Sequence, residues 1–121
     1  MKPLISAIPV DPALFAAERA ADAGVMASLA RNGDCADVPR EVDLRFKGEE
    51  SRLHALAEAA GQLDLEVVQL VGAGRDGHAL DLSCRSDTRE MTIDALTRTA
   101  LQIATHFGVT YDGWGCVATK A

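Results

Sequence analysis

Nucleophilic, metal-binding and phosphate-binding sites each need particular residue types at particular spacings, and this chain of 121 residues offers few of them. Its histidines, His54, His78 and His106, show no metal-ligand spacing and have no cysteine beside them in sequence. The cysteines, Cys35, Cys84 and Cys116, are odd in number and far apart, so they form neither a CxxC motif nor a complete disulfide framework. They read as free thiols in a reducing compartment. A Cys-His nucleophile pair, Cys84 with His78 or Cys116 with His106, would have to be assembled by the fold, and nothing in the sequence favours it. No nucleophile elbow, paired-carboxylate signature or P-loop is present. Catalytic, cofactor-binding and metal-binding residues are therefore not assigned, and a non-enzymatic role is expected.

One segment, Gly72-Ala73-Gly74-Arg75-Asp76-Gly77, matches G-x-G-x-x-G after a strand-like run, the pattern with which a helix N-terminus approaches a pyrophosphate. Its context contradicts that use. The residues after Gly77 alternate as a strand instead of opening a helix, and too little chain remains for a doubly wound sheet. A hairpin loop closed by Asp76-Gly77 is the expected structure.

The most unusual string is Tyr111-Asp112-Gly113-Trp114-Gly115. Aromatic residues make up only 4% of the chain, yet the one Tyr and the one Trp stand here beside two glycines, with Phe107 close by. Tyr111 and Trp114 are three positions apart, so a regular strand would point them to opposite faces. A turn or bulge at Asp112-Gly113 decides where each ring goes. Two uses follow: a plug for an aliphatic core, or an aromatic patch for a protein partner.

The elements that position these residues are legible from periodicity. Asp11 as N-cap and Pro12 at the first helical position open a helix that Asn32-Gly33 ends, with Leu14, Ala17, Ala21, Val25 and Leu29 as its apolar stripe. Arg40 to Lys47 alternates, with Val42, Leu44 and Phe46 on one face, as a half-buried strand does. Glu49 to Gln62 is helical, with Leu53, Leu56, Ala57 and Ala60 inward. Leu65 to Val71 and Ala79 to Arg85 form a hairpin across Gly72 to Gly77. A third helix starts between Asp87 and Thr92, carries Ile93, Leu96, Ala100, Ile103, Ala104 and Phe107 on one face, and stops at Gly108; Val109 to Thr119 is the last strand. A β-α-β-β-α-β order with an extra amino-terminal helix predicts an α+β, ferredoxin-like split-βαβ antiparallel sheet. Residues 1–10 read as an amino-terminal extension and 11–121 as one domain.

Charge narrows the partners. Eighteen acids against twelve Lys and Arg leave a net charge of -6, which disfavours a general phosphate-backbone binder and favours a basic partner. The same element order occurs in RNA-recognition modules, but the Ala79 to Arg85 strand has no aromatic for base stacking, so direct nucleic-acid binding is not expected. The segment Met1 to Val10 is broken by Pro3 and Pro9 and makes a poor signal peptide; no membrane span is visible, and a cytoplasmic location is expected.

The segment Phe107-Gly108-Val109-Thr110-Tyr111-Asp112-Gly113-Trp114-Gly115, where a helix ends in a small turn and runs into Tyr-Asp-Gly-Trp, resembles the regulator of ribonuclease activity B family, also called ribonuclease E inhibitor proteins. Gly33-Asp34, Pro39-Arg40 and Val42-Asp43 supply a matching GD…PR-x-VD pattern, and Ile93-Asp94-Ala95 is similar as well. The likeness covers roughly Val25 to Thr119. It implies a small cytoplasmic protein of ferredoxin-like fold that acts by binding, attaching to ribonuclease E and reducing its cleavage of RNA. The sequence departs from the best-known members in having no strongly acidic tail after this strand, and it has Leu44 where some relatives carry His.

The expected function is that of a regulatory protein-binding domain acting on a protein partner such as ribonuclease E. Candidate contacts are Tyr111, Asp112 and Trp114, with Glu49, Glu50 and Glu58 as an acidic helix face. The alternative is a small-molecule-binding or enzymatic domain of the same fold, with a pocket between the sheet and the amino-terminal helix near Cys84, Cys116 or Arg85. A homodimer formed through an exposed sheet face is compatible with either.

Overall fold

A computed structural model describes residues 5–74 and 77–121. Helix α1 (Pro12–Arg31) is followed by β1 (Arg40–Gly48), α2 (Glu50–Ala59) with a 3-10 turn at Ala60–Leu63, β2 (Glu66–Gly74), β3 (Gly77–Ser86), α3 (Glu90–Phe107) and β4 (Thr110–Gly115). The sheet order is β2-β3-β1-β4 and every pairing is antiparallel. This is the expected α+β split-βαβ arrangement with a helix added before it.

Local chemistry explains the boundaries. The Asp11 carboxylate accepts a hydrogen bond from the Ala13 amide at 2.9 Å and Pro12 follows it, which together start α1. At the end of α3, Gly108 has φ of 69° and its amide donates to the Ala104 carbonyl. A side chain there would be strained by that φ and would also run into the Arg52 guanidinium, which donates to the Gly108 carbonyl at 3.1 Å.

The core lies between one sheet face and the helices. β1 contributes Val42, Leu44 and Phe46, β3 contributes Leu80 and Leu82, α2 contributes Leu53 and Leu56, and α3 contributes Ile93, Ala100 and Ile103, all essentially without exposure. Each large aliphatic side chain so buried is worth roughly 1.5–3 kcal/mol. Among the described residues no helix covers the opposite face of the sheet, and the strand alternation expected for β1 holds: Glu41 and Asp43 stay exposed. Among the described residues no helix is long and apolar enough to cross a membrane.

Three expectations need correction. The stripe of α1 is rotated: Leu14 is 47% exposed and Ala17 and Ala21 face solvent, whereas Asp22 and Leu29 are buried and Phe15, Val25 and Met26 are partly so. Alanine on every side of this helix makes its apolar pattern degenerate, so polar anchoring decides the rotation. The hairpin strands are longer than expected, β2 running to Gly74 and β3 starting at Gly77; Asp76, half of the proposed turn pair, lies outside the described residues. The last strand is shorter, closing at Gly115 instead of Thr119.

Candidate functional site

The Tyr111–Gly115 string sits on β4, an edge of the sheet, and its register explains the placement of both rings. Phe46 pairs with Tyr111 and Leu44 with Trp114, so the single residue Arg45 faces two, Asp112 and Gly113. This is a β-bulge, and Gly113 absorbs it with φ of 95°. The extra residue restores the phase, and Tyr111 and Trp114 both turn toward the helices, 5% and 9% exposed. Tyr111 packs on Phe46 with ring centroids 5.5 Å apart.

Behind β4 the two rings meet polar groups of α1 and α3. Asp22 accepts from the Trp114 indole N–H at 2.8 Å and from the Thr97 hydroxyl at 2.6 Å, wholly inside the protein. The Tyr111 hydroxyl is also buried and has no well-formed hydrogen bond; the Thr97 hydroxyl beside it gives its proton to Asp22. Burial, followed by the charges of Asp22 and Glu18, pushes the Tyr111 phenol far above its ordinary range. Glu18 is likewise raised by partial burial and by Asp22 and Asp112.

A second polar cluster occupies the GD…PR pattern. Gly33, at φ of 82°, turns the chain so that Asp34 accepts from Arg40 Nη1 at 2.6 Å, Thr88 Oγ1 at 2.9 Å and the Thr119 amide at 2.8 Å. Arg40 also donates to the carbonyls of Val38 and Cys35, both at 2.8 Å, and its Nη1 lies 3.8 Å from Cys116 Sγ. The Arg40 and Asp34 side chains are 6% and 4% exposed. The motif therefore ties the loop after α1 to the loop before α3 and to the segment after β4.

Of the six candidate contacts, four lie on the surface and two do not. Asp112 is exposed on the bulge, 3.4 Å from Lys47 Nζ. Glu49, Glu50 and Glu58 are exposed on α2, but Glu49 is engaged by Ser51 and Arg52, and Glu50 lies 3.0 Å from His78 Nε2. The rings of Tyr111 and Trp114 are buried behind β4, 5% and 9% exposed, where the expected aromatic patch would have been at the surface. Asp112 and the α2 glutamates belong to separate surfaces.

Sequence reasoning missed the open sheet face and the buried acid. On the open face, Asp81 accepts from Arg45 Nε at 2.7 Å, Arg45 Nη2 at 2.9 Å and the side-chain amide of Gln69 at 2.7 Å. Arg45 holds the Asp81 carboxyl below the usual carboxylate range. Asp43 beside it is raised by partial desolvation, then by Glu41 and Asp81. A signal for Asp22 existed: it shares a helical face with Phe15, Glu18 and Leu29, an arrangement that an all-apolar search rejects.

A separate cleft of about 410 Å³ opens between the sheet, α3 and the 3-10 turn, walled by Leu44, Leu65, Leu96 and Ile103 with Cys84 and Arg85 at its side. The expected pocket near Cys84 and Arg85 thus has a counterpart, but α1 and Cys116 do not line it. Burial pushes the Cys84 thiol up. Neither proposed Cys-His pair is hydrogen-bonded: His106 packs edge-on against Phe107, and His78 meets Glu50. Among the described residues no three His, Cys, Asp or Glu side chains are placed to hold a metal.

No curated protein matches the chain. The family model for regulator of ribonuclease activity B matches residues 19–116, which runs from within α1 through the end of β4 and includes Asp34, Arg40 and the bulged Tyr-Asp-Gly-Trp strand. This family is defined by regulation of a ribonuclease and not by a catalysed reaction. With four-fifths of its length inside that match, the chain belongs to the regulator of ribonuclease activity B family.

Proposed function

We propose that this protein reduces the activity of ribonuclease E by direct protein contact in the cytoplasm, without catalysing a reaction itself. The observation that carries this reading is the family match over residues 19–116. The net charge of -6 supports it, since an acidic regulator is steered toward basic segments of a nuclease. Asp112, Glu49, Glu50 and Glu58 serve as exposed contacts, and Tyr111 and Trp114 act by fixing the strand that presents Asp112. The test is co-purification with ribonuclease E from the same cell and a cleavage assay on a defined RNA, at low and moderate salt. Salt-sensitive association with slower cleavage is expected. No association and unchanged cleavage would remove the proposed partner.

The cleft beside Cys84 and Arg85 favours a second reading, a small-molecule-binding domain, because its volume falls in the range of ligand pockets. A thermal-shift screen against metabolites and nucleotides tests it, since a ligand that binds only the folded state raises the melting temperature.

A further inference from the structure

From the open face of the sheet we infer a docking surface for a cationic, arginine- or lysine-bearing extended segment of a protein partner, centred on Asp43 and the glycine bulge of β4. This inference names the contact surface for the regulatory reading above and rests on it for the identity of the partner.

The face is built in rows by the strand register. Glu66 of β2, Ser83 of β3, Asp43 of β1 and Gly115 of β4 lie side by side; the next row holds Gln69, Asp81, Arg45 and the bulge. Ser83 and Asp81 are short and sunk between longer neighbours, 3% and 8% exposed, so the middle of the face is a floor and not a ridge. A depression of about 340 Å³ runs across this face from Val68 and Gln69 of β2 to Gly113 and Gly115 of β4, where the lack of side chains leaves it open. A Cβ built at either glycine would meet no atom within 4 Å. On the β2 side Val68 and Val71, 50% and 40% exposed, supply apolar contact.

Charge selects the occupant. The depression is lined by three carboxylates, Asp43, Asp81 and Asp112, against one guanidinium, Arg45. Arg45 is committed to Asp81 in a two-point contact, and Asp112 has Lys47 at its outer side. Asp43 makes no ion pair among the described residues: Ser83 stands opposite it, and of the charged residues that flank it in register Arg45 is held by Asp81 and Arg85 stands opposite Glu41, while the charges of Glu41 and Asp81 disfavour its ionised form. A guanidinium or ammonium from outside would relieve that repulsion, and complementary charge of this kind fixes register and speeds encounter. The sunken floor and the bare glycine backbone suit an extended chain. Of the residues in the family-like Val-Asp and Tyr-Asp-Gly-Trp patterns, Val42 and Tyr111 lie in the core, Trp114 turns its ring inward while also lining the depression, and Asp43, Asp112 and Gly113 border it.

The experiment uses the full chain, an isotope-labelled sample for amide mapping, and a short peptide of alternating arginine and serine, with its glutamate counterpart as control. Shifts confined to the amides of Asp43, Arg45, Asp81, Gly113 and Gly115, for the arginine peptide alone and weakened by salt, are the expected result. Two variants then test the full partner. Asp43→Lys reverses the unpaired charge, and Gly115→Leu fills the depression from a position with free space. Each should weaken association with ribonuclease E about tenfold or more, the size of losing a central contact, at unchanged melting temperature. If wild type slows the ribonuclease and both variants do so equally well, the docking face is wrong and the regulatory reading stands. If wild type does not associate with the ribonuclease but the arginine peptide still maps here, the face stands and the partner is wrong. Peptide shifts elsewhere or none, or self-association of the chain that both variants abolish, would overturn the inference.

Discussion

The Asp22 carboxylate, on the amino-terminal helix, accepts the indole N–H of Trp114, on the last strand, at 2.8 Å across 92 positions of sequence. One polar contact thus joins the helix that precedes the split-βαβ core to the edge strand of the sheet. Its second oxygen takes the Thr97 hydroxyl of α3, so three elements meet at one buried acid. The aliphatic surface of α1 is too evenly spread to choose a rotation, and this acid chooses it.

Replacing Asp22 by Ala leaves an indole N–H and a hydroxyl buried with no acceptor. Each such group costs about 1–3 kcal/mol, so a loss of about 2–6 kcal/mol in urea unfolding is expected. Asp22→Asn keeps one acceptor and should lose less. Equal effects of the two would contradict the assigned hydrogen bonds.

Trp114 reports on the same contact without mutation. At 9% exposure, its fluorescence should be shielded from iodide in the native protein and become accessible only on unfolding. Trp114→Ala should cost about 3–5 kcal/mol, as removal of a large buried ring does. A ring quenched freely in the folded state would place it at the surface instead.

The order of elements was legible because the β1 and α3 patterns are unambiguous: Val42, Leu44 and Phe46 alternate with charges, and Ile93, Ala100 and Ile103 recur on a helical period. The rotation of α1 was not, since alanine fits any face and the decisive residue, Asp22, looks like a surface acid. Nor did the string Tyr111–Gly115 reveal its own geometry, because a bulge depends on the partner strand. Two residues set against Arg45 turn both rings inward, and only pairing shows that. The same bulge explains why Asp112 alone of the Tyr-Asp-Trp set faces outward. Asp34 and Arg40 were visible as a pattern, but their mutual burial needs the Thr88 and Thr119 segments, which lie far along the chain.

Tyr111→Phe removes a hydroxyl that is buried without a well-formed hydrogen bond while keeping the ring against Phe46. Desolvating that group without compensation is unfavourable, so the variant should be as stable as wild type or more stable by up to about 1 kcal/mol. A loss above that, measured as a fall in urea midpoint at constant slope, would mean that the hydroxyl has an acceptor in solution.

Gly113 and Gly115 separate backbone strain from space. Both have room for a methyl group, but only Gly113 has a positive φ, 95°. Gly113→Ala should therefore destabilise by about 1–3 kcal/mol through backbone strain, whereas Gly115→Ala should leave thermal stability nearly unchanged. Similar melting temperatures for the two would argue against the bulge.

Acid stability should be governed in part by the Asp34–Arg40 pair. Burial alone would raise the Asp34 carboxyl, but the Thr119 amide, the Arg40 guanidinium and the Thr88 hydroxyl together bring it below its ordinary value. A folded-state value below the unfolded one means stability that is present above the unfolded pKa of about 4 and lost as pH falls through the folded one. Asp81, lowered chiefly by Arg45, works in the same direction. Glu18 and Asp43, both raised, work in the opposite one, because their protonation favours the folded chain. Asp34→Ala strands Arg40 in a buried position and should cost about 3–5 kcal/mol at neutral pH. In urea unfolding at a series of pH values, the gap between wild type and this variant should stay level down to about pH 4 and close below it, as the wild-type carboxyl takes up its proton. A gap that closes at higher pH, or never closes before wild type unfolds, would show that the charge of Asp34 is not what stabilises the cluster.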